Sequence, residues 1–279
     1  MKLEPVLTNL SFPEAPRWRD GRLYFSDFYT KRVMATDPDG VHETIVEVPN
    51  QPSGLGWRTG GTMLIVSMID RKLLGFTTGK LSVLADLSKL ATGHCNDMVV
   101  DGDGRAYIGN FGYDRHKGEM PRTTCLIRVD TDNKVHKAAD GLSFPNGTVI
   151  TDDGKTMIVA ETMAHRLSAF EIGSGGSLGK RRTFAEIRGC SPDGICLDAE
   201  GGVWVADPGG RRVLRVLDGG KVTHTLNLGA RGAYACMLGG VDRRTLFVLT
   251  NSGSGPSIAQ KRDGRIEIMR VDVPGAGYP

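Results

Sequence analysis

The 279-residue chain is short of several features, and each shortage removes a class of protein. No stretch approaches the ~18 consecutive apolar residues that a membrane-spanning helix needs, so no membrane association is expected. Lys and Arg form no stripe against a net charge of +3. The clusters RRTF (181–184), GGRRV (209–213) and DRRTL (242–246) are short and read as solvated hairpin ends, so nucleic acid is not an expected partner. Cysteine is scarce: Cys95, Cys125, Cys190, Cys196 and Cys236 are an odd number with no Cys-x-x-Cys. That pattern predicts free thiols in a reducing, cytoplasmic compartment. Cys190 and Cys196 flank an SPDG turn at a spacing that suits no familiar zinc site, and they read as small core residues. The opening MKLEPVLTNLSFPEAP has no basic segment followed by an apolar run, so no secretory signal is expected. No convincing amphipathic helix of ten residues or more is found.

Glycine, by contrast, is abundant at 38, and short apolar runs recur between turn residues. RLYFSD (22–27), RAYIGN (105–110), TMIVAE (156–161), GVWVAD (202–207) and TLFVLT (245–250) are too short and too β-branched or aromatic for helices. The class is all-β.

The runs are self-similar. Six segments align, beginning PEAPRW at Pro13, PSGLGW at Pro52, CNDMVV at Cys95, PNGTVI at Pro145, PDGICL at Pro192 and YACMLG at Tyr234. Each reads as a turn, an apolar strand, a Gly/Asp hairpin and a second apolar strand. Their second positions, 14, 53, 96, 146, 193 and 235, lie 39, 43, 50, 47 and 42 residues apart. That period suits a four-stranded propeller blade. Residues 1–279 are therefore read as a single six-bladed β-propeller, its ring closed by pairing VLTNL near the start with RIEIMRVDV (265–273). The longest unit carries an insertion, FGYDRHKGEMPRT (111–123), and long loops in regular repeats tend to be functional.

In a propeller, equivalent repeat positions lie on a ring around the axis. The second position holds Glu14, Ser53, Asn96, Asn146, Asp193 and Ala235. Pro-Asn-Gly and Pro-Asp-Gly are ordinary turn sequences on their own. In FPNGTVITDDGKTMIVAE, however, Asp153-Gly154 already supplies the hairpin, which leaves Asn146 at the mouth of the ring. Two carboxylates and two carboxamides in one register are hard oxygen donors. Glu14 and Asp193 together carry −2, which matches one divalent cation, Ca²⁺, Mg²⁺ or Mn²⁺. No histidine falls in this frame. A second register, Asp27, Asn110, Glu161 and Asp207, ends the second strand and is read as closing hairpins. Asp97 adjoins Asn96, and His94 lies just before it, so both are candidates to face a substrate.

At this point the chain resembles the gluconolactonase, regucalcin (senescence marker protein) and luciferin-regenerating enzyme family. The resemblance rests on FPEAPRW, CNDMVVDGDGRAYIGNFG, FPNGTVITDDGKTMIVAET and PDGICLDAEGGVWVAD, in that order and spacing. It implies a six-bladed propeller with one axial divalent cation, and in many members the hydrolysis of sugar lactones. Carried over, the family's metal ligands fall on Glu14, Asn96, Asn146 and Asp193, and its Asn-Asp pair on Asn96-Asp97. Members often have Glu-Gly where this chain has Glu14-Ala15, and many have arginine where His94 stands.

The expected activity is a metal-dependent lactonase acting on a sugar or aldono-lactone. Asp193 is the candidate general base as well as a ligand. His94, Asp97, Phe111, Tyr113 and Glu119 are the candidate substrate contacts. Ca²⁺ is the first choice of cofactor, with Mg²⁺, Mn²⁺, Zn²⁺ or Fe²⁺ as alternatives. The expected partner is a small-molecule lactone, and the protein is expected to be a monomer or small homo-oligomer. The competing readings are a phosphotriesterase or broad esterase on the same cation, and a propeller that binds metal or protein without turnover.

Overall fold

A computed structural model describes residues 3–114 and 117–279; Arg115 and His116 of the 111–123 insertion, with Met1 and Lys2, lie outside the described residues. Among the described residues, twenty-four strands form six antiparallel sheets of four. The innermost strands are Pro13–Arg19, Pro52–Trp57, Cys95–Val100, Pro145–Ile150, Ile195–Leu197 and Gly232–Gly239. Each touches the next around a closed ring. This is the six-bladed propeller that the repeats predict. The ring closes as expected, with Glu4–Leu10 pairing with Gly264–Arg270 to complete the sixth blade. Among the described residues no helix is long and apolar enough to cross a membrane.

Sequence pattern follows position in the blade. Second strands such as Met63–Ser67 and Val203–Asp207 are buried throughout and read as continuous apolar runs. Outermost strands such as His42–Glu47 and Val222–Asn227 are largely exposed and mix in polar residues. The cores lie between blades: Val149, Ile158 and Leu167 of the fourth pack with Ile195, Val205 and Leu214 of the fifth. Each such side chain contributes about 1.5–3 kcal/mol on burial. Glycine lets adjacent inner strands approach closely. A Cβ on Gly147 would meet Ile195 N at 2.5 Å, and one on Gly54 would meet Met98 N at 2.5 Å.

The second register does close the blades. Asp27, Asn110, Glu161 and Asp207 are all fully buried. Asp27 Oδ1 accepts from the backbone of Ser11 and Phe12, Glu161 from Ser143, and Asp207 from Ser191. These bonds pin the segment that enters each inner strand. All five cysteines are buried and free.

Two features escape a strict repeat alignment. Five of the six inner strands carry a bulge at the same place, where the ring residue sits: between Glu14 and Arg17, Pro52 and Leu55, Cys95 and Met98, Pro145 and Thr148, and Ala233 and Ala235. In the sixth blade the ring residue is Tyr234, one position before the expected Ala235. Gly194 N donates to Tyr234 O as Gly147 N donates to Asp193 O, which makes Tyr234 the counterpart of Asp193. No proline marks the entry to this blade, and the bulge adds a residue that period-two alternation cannot place.

At the far end of the channel, residues 274–279 cross from the sixth blade to the fourth. Ala199 N donates to Pro274 O, Ala276 N to Leu197 O, and Tyr278 N to Ile150 O.

Candidate active site

Glu14, Ser53, Asn96, Asn146, Asp193 and Tyr234 stand at equivalent positions of the six blades, where the adjacent inner strands enter the ring. Asn96, Asn146 and Tyr234 are 7%, 6% and 8% exposed, while Glu14 and Asp193 are half-buried. The two carboxylates sense each other. Burial, then Asp193, then Asp97 push the Glu14 carboxyl well above its ordinary pKa, and Arg17 opposes them more weakly. The Asp97 carboxyl is also raised, chiefly by burial, against the pull of Arg17.

Arg17 lies outside the repeat register that marks the ring, and it alters the charge balance there. Its guanidinium donates to Pro16 O, Leu55 O, Met98 O and, at 2.6 Å, to Asp97 Oδ1. Asp97 also accepts from Met98 N at 2.8 Å. Arg17 thus offsets Asp97, which leaves Glu14 and Asp193 as the ring's own carboxyl groups. The same arginine lines a cavity of about 480 Å³ at the far mouth, with Trp57, Arg58 and Tyr278. Arg17 and Asp97 therefore form a floor between that cavity and the ring.

The donor set suits a hard divalent cation: two carboxylates, two carboxamides and no sulfur or imidazole. Among the described residues no three His, Cys, Asp or Glu side chains cluster as metal ligands, so any ion here depends on the two asparagines. Their amides are held differently. Asn146 Nδ2 donates to Thr162 Oγ1 at 3.2 Å, and Thr162 Oγ1 donates to Pro192 O at 2.7 Å. Asn96 Nδ2 is buried without a partner among the described residues.

An aromatic wall surrounds the mouth. Phe12, Phe28, Tyr29, Phe111, Tyr113, Phe144 and Tyr234 form one cluster with Met68 and Ile258. Phe111 stacks on Phe144 at 4.4 Å, and Phe12 meets Tyr234 edge-on at 4.6 Å. Of the sequence candidates, Phe111 and Tyr113 belong to this wall, and the half-buried His94 lies 6.0 Å from the Phe111 ring. Glu119 sits elsewhere: it is exposed, accepts from Asp114 N at 2.9 Å and pairs with Arg122 inside the insertion. Phe12, Phe144 and Tyr234 are additions. The twice-used Phe-Pro entry, Phe12-Pro13 and Phe144-Pro145, was the signal available for the first two.

Ala15 follows Glu14 with φ of +49°. The left-handed region favours glycine, and alanine there costs roughly 1–2 kcal/mol. Its N–H donates to Glu14 Oε2 at 3.3 Å.

The fold is a six-bladed propeller whose inner strands carry four oxygen-bearing side chains, Glu14, Asn96, Asn146 and Asp193, at equivalent positions. The family model described as SMP-30/Gluconolactonase/LRE-like region matches residues 12–252. The chain belongs to that family. Among curated relatives, it is 29% identical over 279 residues to 6-deoxy-6-sulfogluconolactonase of Pseudomonas putida, covering 95% of this chain and 93% of that one. It is 26% identical over 257 residues to regucalcin of Xenopus laevis, covering 89% and 86%. Among solved structures, a calcium-binding protein, regucalcin, from Agrobacterium tumefaciens superposes with a TM-score of 0.83 at 22% identity, covering 99% of this chain and 96% of that one.

Proposed function

We propose that the protein hydrolyses the ester bond of a lactone, a sugar or aldono-lactone, at the ring of Glu14, Asn96, Asn146 and Asp193. The observation that supports this reading is the placement of those four side chains at equivalent positions of adjoining inner strands, in a chain of the gluconolactonase family. Its relative from Pseudomonas putida bears the name of a lactonase.

The four ring residues would hold one divalent cation, Ca²⁺ first, in keeping with their hard oxygen donors and with the calcium-binding relative. When bound, such an ion supplies a Lewis acid for an ester oxygen and lowers the pKa of water. The chain's own residues supply the rest. Asp193, half-buried, takes the proton of the attacking water as general base. Glu14 anchors the site, and the asparagines add oxygen without adding charge. Asp97, bonded to Arg17, holds the floor beneath the substrate. His94 meets substrate hydroxyls beside Phe111 and Tyr113, which shield the reacting bond from water. The protein acts in the cytoplasm, as a monomer or small homo-oligomer.

The aromatic wall favours a second reading, hydrolysis of aryl or phosphate esters at the same ring. A panel of aldonolactones, acyl-homoserine lactones, aryl esters and phosphotriesters separates the two. Asp193→Ala is expected to abolish turnover with the propeller intact by circular dichroism. Near-normal lactonase activity in that variant removes the base role, and full activity after exhaustive chelation removes the cation.

A further inference from the structure

The internal repeat exposes a device in the fourth blade. The residue after the second register is Phe28, Met68, Phe111 and Thr162 in the first four blades. Its backbone is held identically in all four: Phe28 N donates to Phe12 O, Met68 N to Gln51 O, Phe111 N to His94 O and Thr162 N to Phe144 O. In three of them the side chain joins the apolar wall. In the fourth it is a hydroxyl beside a ring asparagine.

That hydroxyl has one proton, and it is committed to Pro192 O at 2.7 Å. What it presents to Asn146 is therefore a lone pair, which an amide N–H satisfies and an amide oxygen does not. The 3.2 Å contact to Asn146 Nδ2 follows from this, and it leaves Oδ1 for the channel. Pro192 adjoins Asp193, so one side chain ties the fourth-blade ligand to the segment carrying the fifth. The platform is rigid, because the preceding Glu161 is fully buried and accepts from Ser143 N, Ser168 and Arg166. Asn96, whose counterpart neighbour is Phe111, has no such acceptor for its Nδ2.

We infer that Thr162 is a positioning residue: it selects which end of the Asn146 carboxamide faces the channel and locks that ligand to the Asp193 segment. The inference rests on the proposed cation site. Groups that orient a metal ligand from behind are typically worth 10–100-fold in metal affinity.

The test is Ca²⁺ binding by calorimetry to wild type, Thr162→Val and Thr162→Ser, with thermal unfolding of each in chelator. Valine keeps the shape and removes the hydroxyl, and serine restores it. The expected result is affinity about 10–100-fold weaker for Thr162→Val and close to wild type for Thr162→Ser. Unfolding temperatures in chelator are expected to differ much less than the affinities. If Thr162→Val does not fold, Thr162→Ala carries the same expectation. Equal affinity in wild type and the hydroxyl-free variant overturns the positioning role and leaves the cation site standing. Weakening in Thr162→Ser as large as in Thr162→Val also overturns it. Failure of the wild type to bind Ca²⁺, Mg²⁺ or Mn²⁺ overturns the cation site itself, and the positioning role with it.

Discussion

Arg17 and Asp97, 80 residues apart in sequence, form a buried ion pair at 2.6 Å across the propeller channel. Their side chains are 4% and 10% exposed. Removing one partner of such a pair leaves an uncompensated buried charge, at a cost of about 3–5 kcal/mol. Arg17→Met is expected to destabilise by that order in denaturant unfolding. Asp97→Asn should be milder, because Arg17 keeps the carbonyls of Pro16, Leu55 and Met98. The double variant should recover part of the loss. Equal effects of the two single changes would contradict the asymmetry.

Tyr234 occupies the ring position of the sixth blade, and its environment includes Asp193 and Glu14. Burial first, then Asp193, push its phenol up to about 12, so it remains a neutral donor at working pH. Tyr234→Phe is expected to leave Ca²⁺ affinity unchanged and to lower kcat/KM about tenfold, the value of one hydrogen bond of roughly 1.4 kcal/mol. An unchanged kcat/KM would place the phenol outside the reaction.

At the proposed cation site, Glu14 is expected to link binding to pH. Its folded pKa lies above the ordinary 4.5, so the cation-free native state holds more protons than the unfolded chain between those two values. The Glu14 contribution to stability in chelator is therefore expected to fall as pH rises above 4.5 toward the raised pKa. Comparing melting of wild type with Glu14→Gln across that range isolates the effect. Saturating Ca²⁺ should abolish the decline, since it binds the carboxylate form. A difference that grows in favour of wild type with pH in chelator would reverse the sign.

Ala15 is expected to be improved by glycine. At φ of +49° the methyl group carries strain that outweighs the extra freedom glycine gives the unfolded chain. Ala15→Gly should raise the denaturant midpoint by the equivalent of about 0.5 kcal/mol. A lower midpoint would mean that the methyl group packs usefully.

What could be read from sequence depended on punctuation. Proline opens the first, second, fourth and fifth repeats, and those positions register Glu14, Ser53, Asn146 and Asp193 correctly. The third lacks proline but keeps its Asp-Gly hairpin, which places Asn96. The sixth has neither signal, and its ring residue slips by one, from Tyr234 to Ala235. Contacts across the ring, such as Arg17 with Asp97, need closure of all six blades before they exist, and no local pattern announces them. Thr162 was hidden for another reason: its role lies in a hydroxyl proton already spent on Pro192.

The recurring bulge has a consequence for how such a site changes over time. The same bulge recurs in five of the six inner strands, although the residues that stand at it differ from blade to blade. Ser53 and Tyr234 already share the ring with the four oxygen donors. A new ligand, a new acid or a new wall is then one codon away at six places, and selection can rewrite the chemistry without renegotiating the architecture.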